Sequence, residues 1–137
     1  MKIELTRDLD TCRALRRQVF IQEQNVSEAE EWDGLDATAL HLLAWDDARP
    51  VGTARLLIAG DSAKIGRVCV LRDMRGRGIG AQVMRAAIEV LRERGLRRAK
   101  LASQTHALAF YEKLGFVAYG PEYPDAGIPH RDMVLEL

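Results

Sequence analysis

One stretch, Val68 to Leu91, restricts the choice of fold more than any other: an apolar run, an Arg/Gly loop and an amphipathic helix follow one another without a break. It reads Val68-Cys69-Val70-Leu71, then Arg72-Asp73-Met74-Arg75-Gly76-Arg77-Gly78-Ile79-Gly80, then a helical pattern from Ala81 to Arg94. A strand fed into a helix through glycines has a chemical use. Glycine lets the backbone approach a ligand closely, and a helix start leaves its first N–H groups without partners. The helix dipole adds about half a positive charge there. Together these make an anion site, most often for phosphate. Arg72, Arg75 and Arg77 add fixed positive charge. The spacing excludes two familiar loops. There is no Gly-x-x-x-x-Gly-Lys-Ser/Thr, and Gly76-x-Gly78-x-Gly80 lacks the third-glycine spacing of a dinucleotide fold. For the loop by itself, the plain alternative is a helix cap with solvated arginines.

The rest of the chain bounds the partners. Its 137 residues suit one domain, residues 1–137, with a core that needs no staples. Twenty basic and twenty acidic residues cancel, so a non-specific nucleic-acid binder, normally basic, is disfavoured. No run of about 18 apolar residues suggests a membrane span, and the charged start, Met1-Lys2-Ile3-Glu4, does not read as a secretory leader. Cys12 and Cys69 stand far apart without metal-type partners. They read as reduced core thiols of a cytoplasmic protein, and no metal is implied.

Along the chain, Met1–Leu5 reads as a strand, and Asp8 or Asp10 caps a helix that runs to Phe20 or Gln22 with Cys12, Leu15 and Val19 on its apolar face. Ser27-x-x-Glu30 predicts a capping box and a short helix to Glu31. Three strands follow as an antiparallel meander: Thr38–Trp45, Val51–Ala59 and Lys64–Leu71. The central helix buries Val83, Ala87, Val90 and Leu91, widened by Met84 and Ile88, and Gly95 caps it. A strand at Arg98–Ala102 completes a right-handed parallel crossover. A helix over His106–Leu114 and a last hairpin, Phe116–Tyr119 with Met133–Leu137, close the chain.

The order β-α-α-β-β-β-α-β-α-β-β and two local signatures resemble the GNAT acetyltransferase superfamily. The first is Arg75-x-x-Gly78-x-Gly80; the second is Ala107-x-x-Phe110-Tyr111-Glu112-Lys113-Leu114-Gly115-Phe116. The segments Val19-Phe20-Ile21-Gln22-Glu23-Gln24 and Gly127-Ile128-Pro129-His130 resemble its ElaA-like branch. The resemblance implies an α/β (α+β) fold: a central mixed sheet of about seven strands flanked by about four helices. It implies acetyl-coenzyme A as co-substrate, its pyrophosphate on the amides of Arg75, Gly76, Arg77, Gly78, Ile79 and Gly80. The pantetheine arm would lie against the backbone of Val68, Cys69 and Val70, and Gln104, where the family favours asparagine, would contact the cofactor. Tyr111 would protonate the departing thiolate; helical spacing alone favours a core aromatic beside Phe110, and the two signatures together favour the catalytic role.

In this fold the first helices wall the acceptor pocket. Here that stretch, Glu23 to Asp36, holds six acids and no Lys or Arg. A negative pocket attracting a cationic amine is one reading, a solvated acidic loop the other. Glu28, Glu30, Glu31 or Asp33 could take the acceptor's proton, and Glu28, Glu31, Asp33 and His130 are the candidate substrate contacts. His130 near the last hairpin reads equally as acceptor contact, base or structural loop residue. His41 reads as structural, His106 as a helix-start residue, and Arg16 and Arg17 as a solvated helix face. An acyl-cysteine at Cys69 is the minor route beside direct transfer.

The function expected is therefore transfer of an acetyl group from acetyl-coenzyme A to a primary amine, with a cationic small-molecule acceptor as partner and no nucleic acid or membrane; a homodimer is left open. A non-catalytic acyl-coenzyme A sensor or partner-binding module on the same fold is the alternative. A nucleic-acid binder using Arg72 to Arg98 is the more distant one.

Overall fold

The computed structural model describes residues 1–137. Its strands are Lys2–Thr6 (β1), Leu40–Asp46 (β2), Arg49–Ala59 (β3), Ser62–Val70 (β4), Arg98–Gln104 (β5), Val117–Asp125 (β6) and Ile128–Glu136 (β7). The α-helices are Leu9–Arg16 (α1), Glu28–Glu31 (α2), Ile79–Glu93 (α3) and Leu108–Glu112 (α4). All seven strands share one sheet in the order β1-β2-β3-β4-β5-β7-β6. Neighbours are antiparallel except β4 and β5, joined through α3 as the parallel crossover the sequence predicts.

Each face of the sheet has its own core. On one face, Val83, Met84, Ala87, Ile88 and Leu91 of α3 pack on Leu42, Ala54, Leu56, Ala63, Ile65, Leu101 and Met133. On the other, Cys12 and Leu15 of α1 and Val19 beyond it pack on Leu43, Cys69 and Leu71. Burying one such leucine or isoleucine contributes about 1.5–3 kcal/mol. β4 serves both cores because its alternation breaks. Gly66 pairs with Arg55 and Cys69 with Thr53, so Arg67 and Val68 together oppose Ala54. Ala63 and Ile65 therefore face α3, whereas Cys69 faces α1. Arg67 takes φ of 53° at this bulge, unusual for a residue with a side chain.

Several elements differ from the pattern-based expectation. The first helix is α-helical only to Arg16; Arg17–Glu23 widens into a π-helical segment, with Gln24 N–H donating to Val19 O five residues back. Asp8 caps the start, accepting from Thr11 N–H. Ser27 accepts from Glu30 N–H, half of the anticipated box, while the Glu30 carboxylate takes the Ser27 hydroxyl. The fourth helix is shorter than its apolar spacing suggests, preceded by a 3-10 turn at Thr105–Ala107. The last hairpin is much longer than expected, turning at Ala126-Gly127, where both residues take positive φ. Pro121 and Pro124 are tolerated because β6 lies at the sheet edge and bulges between Tyr119 and Tyr123, and Pro129 of β7 lies beyond the last pair with β5, Gln104–His130. No helix is long and apolar enough to cross a membrane.

Candidate active site

The parallel pair at the centre of the sheet is short. β4 and β5 are in register only at Ser62–Arg98, Ala63–Ala99 and Lys64–Lys100, and then diverge. The bulge at Arg67–Val68 bends β4 away where pairing stops. The gap is a cleft of about 580 Å³ lined by both strands, the π-helical segment, the 105–111 region and the tip of the last hairpin. One edge of β4 is thus unpaired inside a cavity. Leu71 N–H donates to Val51 O and Cys69 pairs with Thr53, so ladder alternation turns the backbone of Val70 toward the cleft and that of Cys69 toward β3. Val68 and Val70 line this wall. The Cys69 side chain is buried, and burial pushes its thiol up to about 12. A thiol so reluctant to ionise is a poor nucleophile, which weighs against the acyl-cysteine route.

Arg75 lines the cleft, and the glycine loop begins there. Met74 is buried and anchors the loop's base. Gly76 and Gly78 take φ of 80° and 77°, a region that costs a side-chain-bearing residue about 1–2 kcal/mol. Gly78 is the N-cap of α3 and supplies no side-chain cap. The amides of Gly76, Arg77, Gly78, Ile79 and Gly80 consequently donate to no group of the protein. The amide of Arg75 does, closing a turn to Arg72 O at 3.3 Å, so the free run starts one residue later than expected. The Arg75 guanidinium is also engaged: Nε donates to Val70 O, and its two terminal nitrogens grip Glu23 at 2.6 and 2.9 Å. That guanidinium holds the Glu23 carboxyl below its ordinary range. Five successive unbonded amides at a helix start are what a diphosphate requires, so the loop fits coenzyme A.

Tyr111 lines the cleft, set edge-on to Phe110 and Phe116 at ring separations of 4.9 and 6.2 Å. Burial alone pushes its phenol up to about 12, so it carries its proton throughout the neutral range. Gln104 is not free. Its amide donates to Gln24 Oε1 at 3.0 Å and its carbonyl accepts from His106 Nε2 at 2.6 Å, tying the end of β5 to the π-helical segment.

The acidic stretch is largely neutralised. Arg16, expected on a solvated helix face, is 1% exposed. Its Nε donates to Glu31 and a terminal nitrogen to Asp36, both at 2.8 Å, under the Trp32 ring. Arg55 clamps Asp33 with two 2.8 Å bonds and reaches Asp36; Arg67 pairs with Glu31 and Asp33. The Arg55 hydrogen bonds hold the Asp33 carboxyl down at about 2. Burial alone would raise Asp36, but the bonds from Arg16 and Arg13 outweigh it and hold that carboxyl well below the usual range. Of the four candidate acceptor contacts, Glu28 pairs with Arg17 and lies outside the cleft, as does Asp33. Glu31 reaches the cleft wall but is consumed by Arg16 and Arg67. The expected negative pocket is therefore corrected to a mixed one, because arginines from α1, β3 and β4 converge on those acids. His130 does line the cleft, beside Glu30, Lys64 and Asp125. His41 is structural, donating from Nε2 to Asp36 O. The partners the pattern missed are Arg16, Arg55 and Arg67. Only Arg55 left a signal, a lone arginine in the apolar run Val51–Ala59.

A splayed parallel pair, a free-amide loop at a helix start and a cleft tyrosine after the fifth strand define a class of acyl-transfer enzyme. The chain belongs to the GNAT acetyltransferases: residues 8–137 match the family described as Acetyltransferase (GNAT) domain, so it is an acyl-coenzyme A-dependent N-acetyltransferase. It is similar to YyaT of Bacillus subtilis (strain 168), 40% identical over 139 residues, covering 99% of this chain and 94% of that one. Protein ElaA of Escherichia coli (strain K12) is 34% identical over 129 residues, covering 90% of this chain and 84% of ElaA. The crystal structure of ElaA superposes with a TM-score of 0.85, 30% identity and coverage of 97% and 99%, which supports the ElaA-like branch. An acyl-CoA N-acyltransferase from Pseudomonas aeruginosa superposes with a TM-score of 0.88, 31% identity and coverage of 98% and 99%.

Proposed function

We propose that this enzyme moves an acetyl group from acetyl-coenzyme A to the primary amine of a small cationic acceptor, by direct attack of nitrogen on the thioester. One observation carries the reading: the cleft that opens between β4 and β5 adjoins five unbonded amides and contains a protonated phenol. The amides of Gly76–Gly80 would hold the diphosphate, with Arg77 adding charge. The cleft-facing edge of β4 at Val68 and Val70 would pair with the pantetheine amides as a strand pairs with an edge. Gln104, at the end of β5, is a cofactor contact once its bond to Gln24 is exchanged. Cys69 supports this edge by packing beneath it.

The thioester supplies an electrophilic carbonyl carbon. The Val70 amide, directed into the cleft, stabilises charge developing on the carbonyl oxygen; such a donor contributes about 10²–10³ in rate. Tyr111 gives its proton to the departing sulfur. Glu30 and Asp125 line the cleft with no cation paired to them and favour an acceptor that carries positive charge. Glu31 shapes the wall, and Glu28 and Asp33 act at a distance through the arginines they hold.

The test is thiol release across a panel of small amines. Transfer to at least one cationic amine is expected; coenzyme A binding with no transfer to any of them defeats the reading. Tyr111→Phe should bind coenzyme A with unchanged affinity and lose about 10²–10⁴ in kcat. An unchanged kcat with a good acceptor removes Tyr111 from the chemistry.

A further inference from the structure

Direct transfer needs a base, because a primary amine arrives as an ammonium ion, and the structure narrows the choice. The carboxylates are mostly unsuited. Glu23, Glu28, Glu31 and Asp33 are bound to Arg75, Arg17, Arg16 with Arg67, and Arg55. The guanidinium lowers the proton affinity of Glu23, Glu28 and Asp33, and Glu31 is occupied by its two arginines. We propose that His130 Nε2 is the base that takes the proton from the acceptor's ammonium group; this rests on the amine-transfer reading above.

Three observations support it. His130 Nδ1 lies 2.7 Å from Ile128 O, and a carbonyl can only accept, so Nδ1 carries the hydrogen. In the neutral ring the lone pair then falls to Nε2. Nε2 has no partner in the protein, although the side chain is 9% exposed and lines the cleft. The ring is held in place: it stacks on Tyr123 at 6.3 Å, and the Tyr123 hydroxyl is in turn anchored on Asp132. A buried imidazole with its tautomer set and its basic nitrogen open to the substrate channel is built to receive a proton. It also sits where it is needed, for His130 is the register partner of Gln104 at the end of β5, the strand that forms one wall of the cleft.

The charged and titratable groups around it come from every wall. Tyr123 and Asp125 lie on β6, Arg131 and Asp132 on β7, and His106 follows β5. Lys64 and Arg67 lie on β4, Glu23 on the π-helical segment, and Glu30 and Glu31 on α2. Glu30, Asp125 and Asp132 are the carboxylates not bound to a cation, but Asp132 accepts the Tyr123 hydroxyl and Glu30 the Ser27 hydroxyl, whereas His130 Nε2 is left open. The protons balance as follows. The ammonium gives its first proton to His130 Nε2, which passes it to water. The nitrogen forms its bond to the carbonyl carbon as the C–S bond breaks. Tyr111 protonates the sulfur, and the second proton leaving nitrogen restores the phenol through water.

The experiment compares wild type, His130→Gln and His130→Ala with an acceptor found in the amine panel. Expected for His130→Gln is a fall of about 10²–10⁴ in kcat/KM at pH 7 with coenzyme A affinity unchanged. The acidic limb of its pH profile should move upward, toward the amine's own value of about 10. Imidazole added to His130→Ala should restore rate. An unaltered profile in His130→Gln, or an acidic limb removed instead by Glu30→Gln or Asp125→Asn, overturns the assignment. Independently of activity, ¹⁵N chemical shifts should report the Nδ1–H tautomer in the wild type, and an Nε2–H tautomer overturns the assignment as well. If the wild type transfers to no amine, the transfer reading fails together with this one. If it transfers and His130→Gln matches it, only His130 falls.

Discussion

The stretch Glu23–Asp36 and the loop Gly76–Gly80 meet through the Glu23–Arg75 pair, which lines the cleft. They treat their polar groups in opposite ways. In the first, nearly every carboxylate is matched: Arg13, Arg16, Arg55 and Arg67 converge on Glu31, Asp33 and Asp36, and what is left is a rigid wall with little net field. In the second, five amides in a row are unmatched and the local charge is unspent. A formal charge count would rank the acidic stretch as the stronger binding feature. Satisfaction of the groups ranks the glycine loop first, because a ligand gains most where the protein has left hydrogen bonds unmade.

The largest test strikes the matched side. Arg16→Met removes the buried cation that bridges Glu31 and Asp36 and leaves Glu31 to Arg67 and Asp36 to Arg13 and Arg55. Stability should fall by about 3–5 kcal/mol, read as a lower urea midpoint at an unchanged slope. A midpoint that stays put would mean that the network is as dispensable as surface pairs. Acid probes the same wall next. The Asp33 carboxyl sits at about 2 when folded against 3.8 in the free chain, so its contribution is full above roughly pH 5 and lost as pH falls toward 2. Asp36 shifts in the same direction and adds to this acid-labile stability. Unfolding midpoints that do not change between pH 5 and 2.5 would contradict it. The smallest effect on stability belongs to the unmatched side. Gly78→Ala should cost about 1–2 kcal/mol through its positive φ, while coenzyme A affinity falls about tenfold. Equal affinity by calorimetry would detach the loop from the ligand.

The same contrast explains what could be read in advance. The loop was legible because its proposed role rests on backbone, and glycine spacing reports backbone directly. The order of strands and helices was legible from periodicity, and so was the buried face of α3. The neutralised wall was not. Its acids are contiguous in sequence, but their partners Arg16, Arg55 and Arg67 come from three separate elements, and no local pattern joins them. The bulge at Arg67 was equally hidden, because it places an arginine rather than a glycine at positive φ. The last hairpin was read too short because its prolines signal a loop unless the strand is known to be at an edge.

The short parallel seam has a mechanical consequence. Beyond β1, β2 and β3 on one side and β7 and β6 on the other, only three register pairs of β4 and β5 stitch the sheet together. An extended ligand with its own amide groups, lying along the open part of that seam, would act as the missing stretch of strand. On the proposed function, the weakest line of the architecture would also be the working line of the enzyme, and the ligand-loaded protein would be the form in which the sheet is whole.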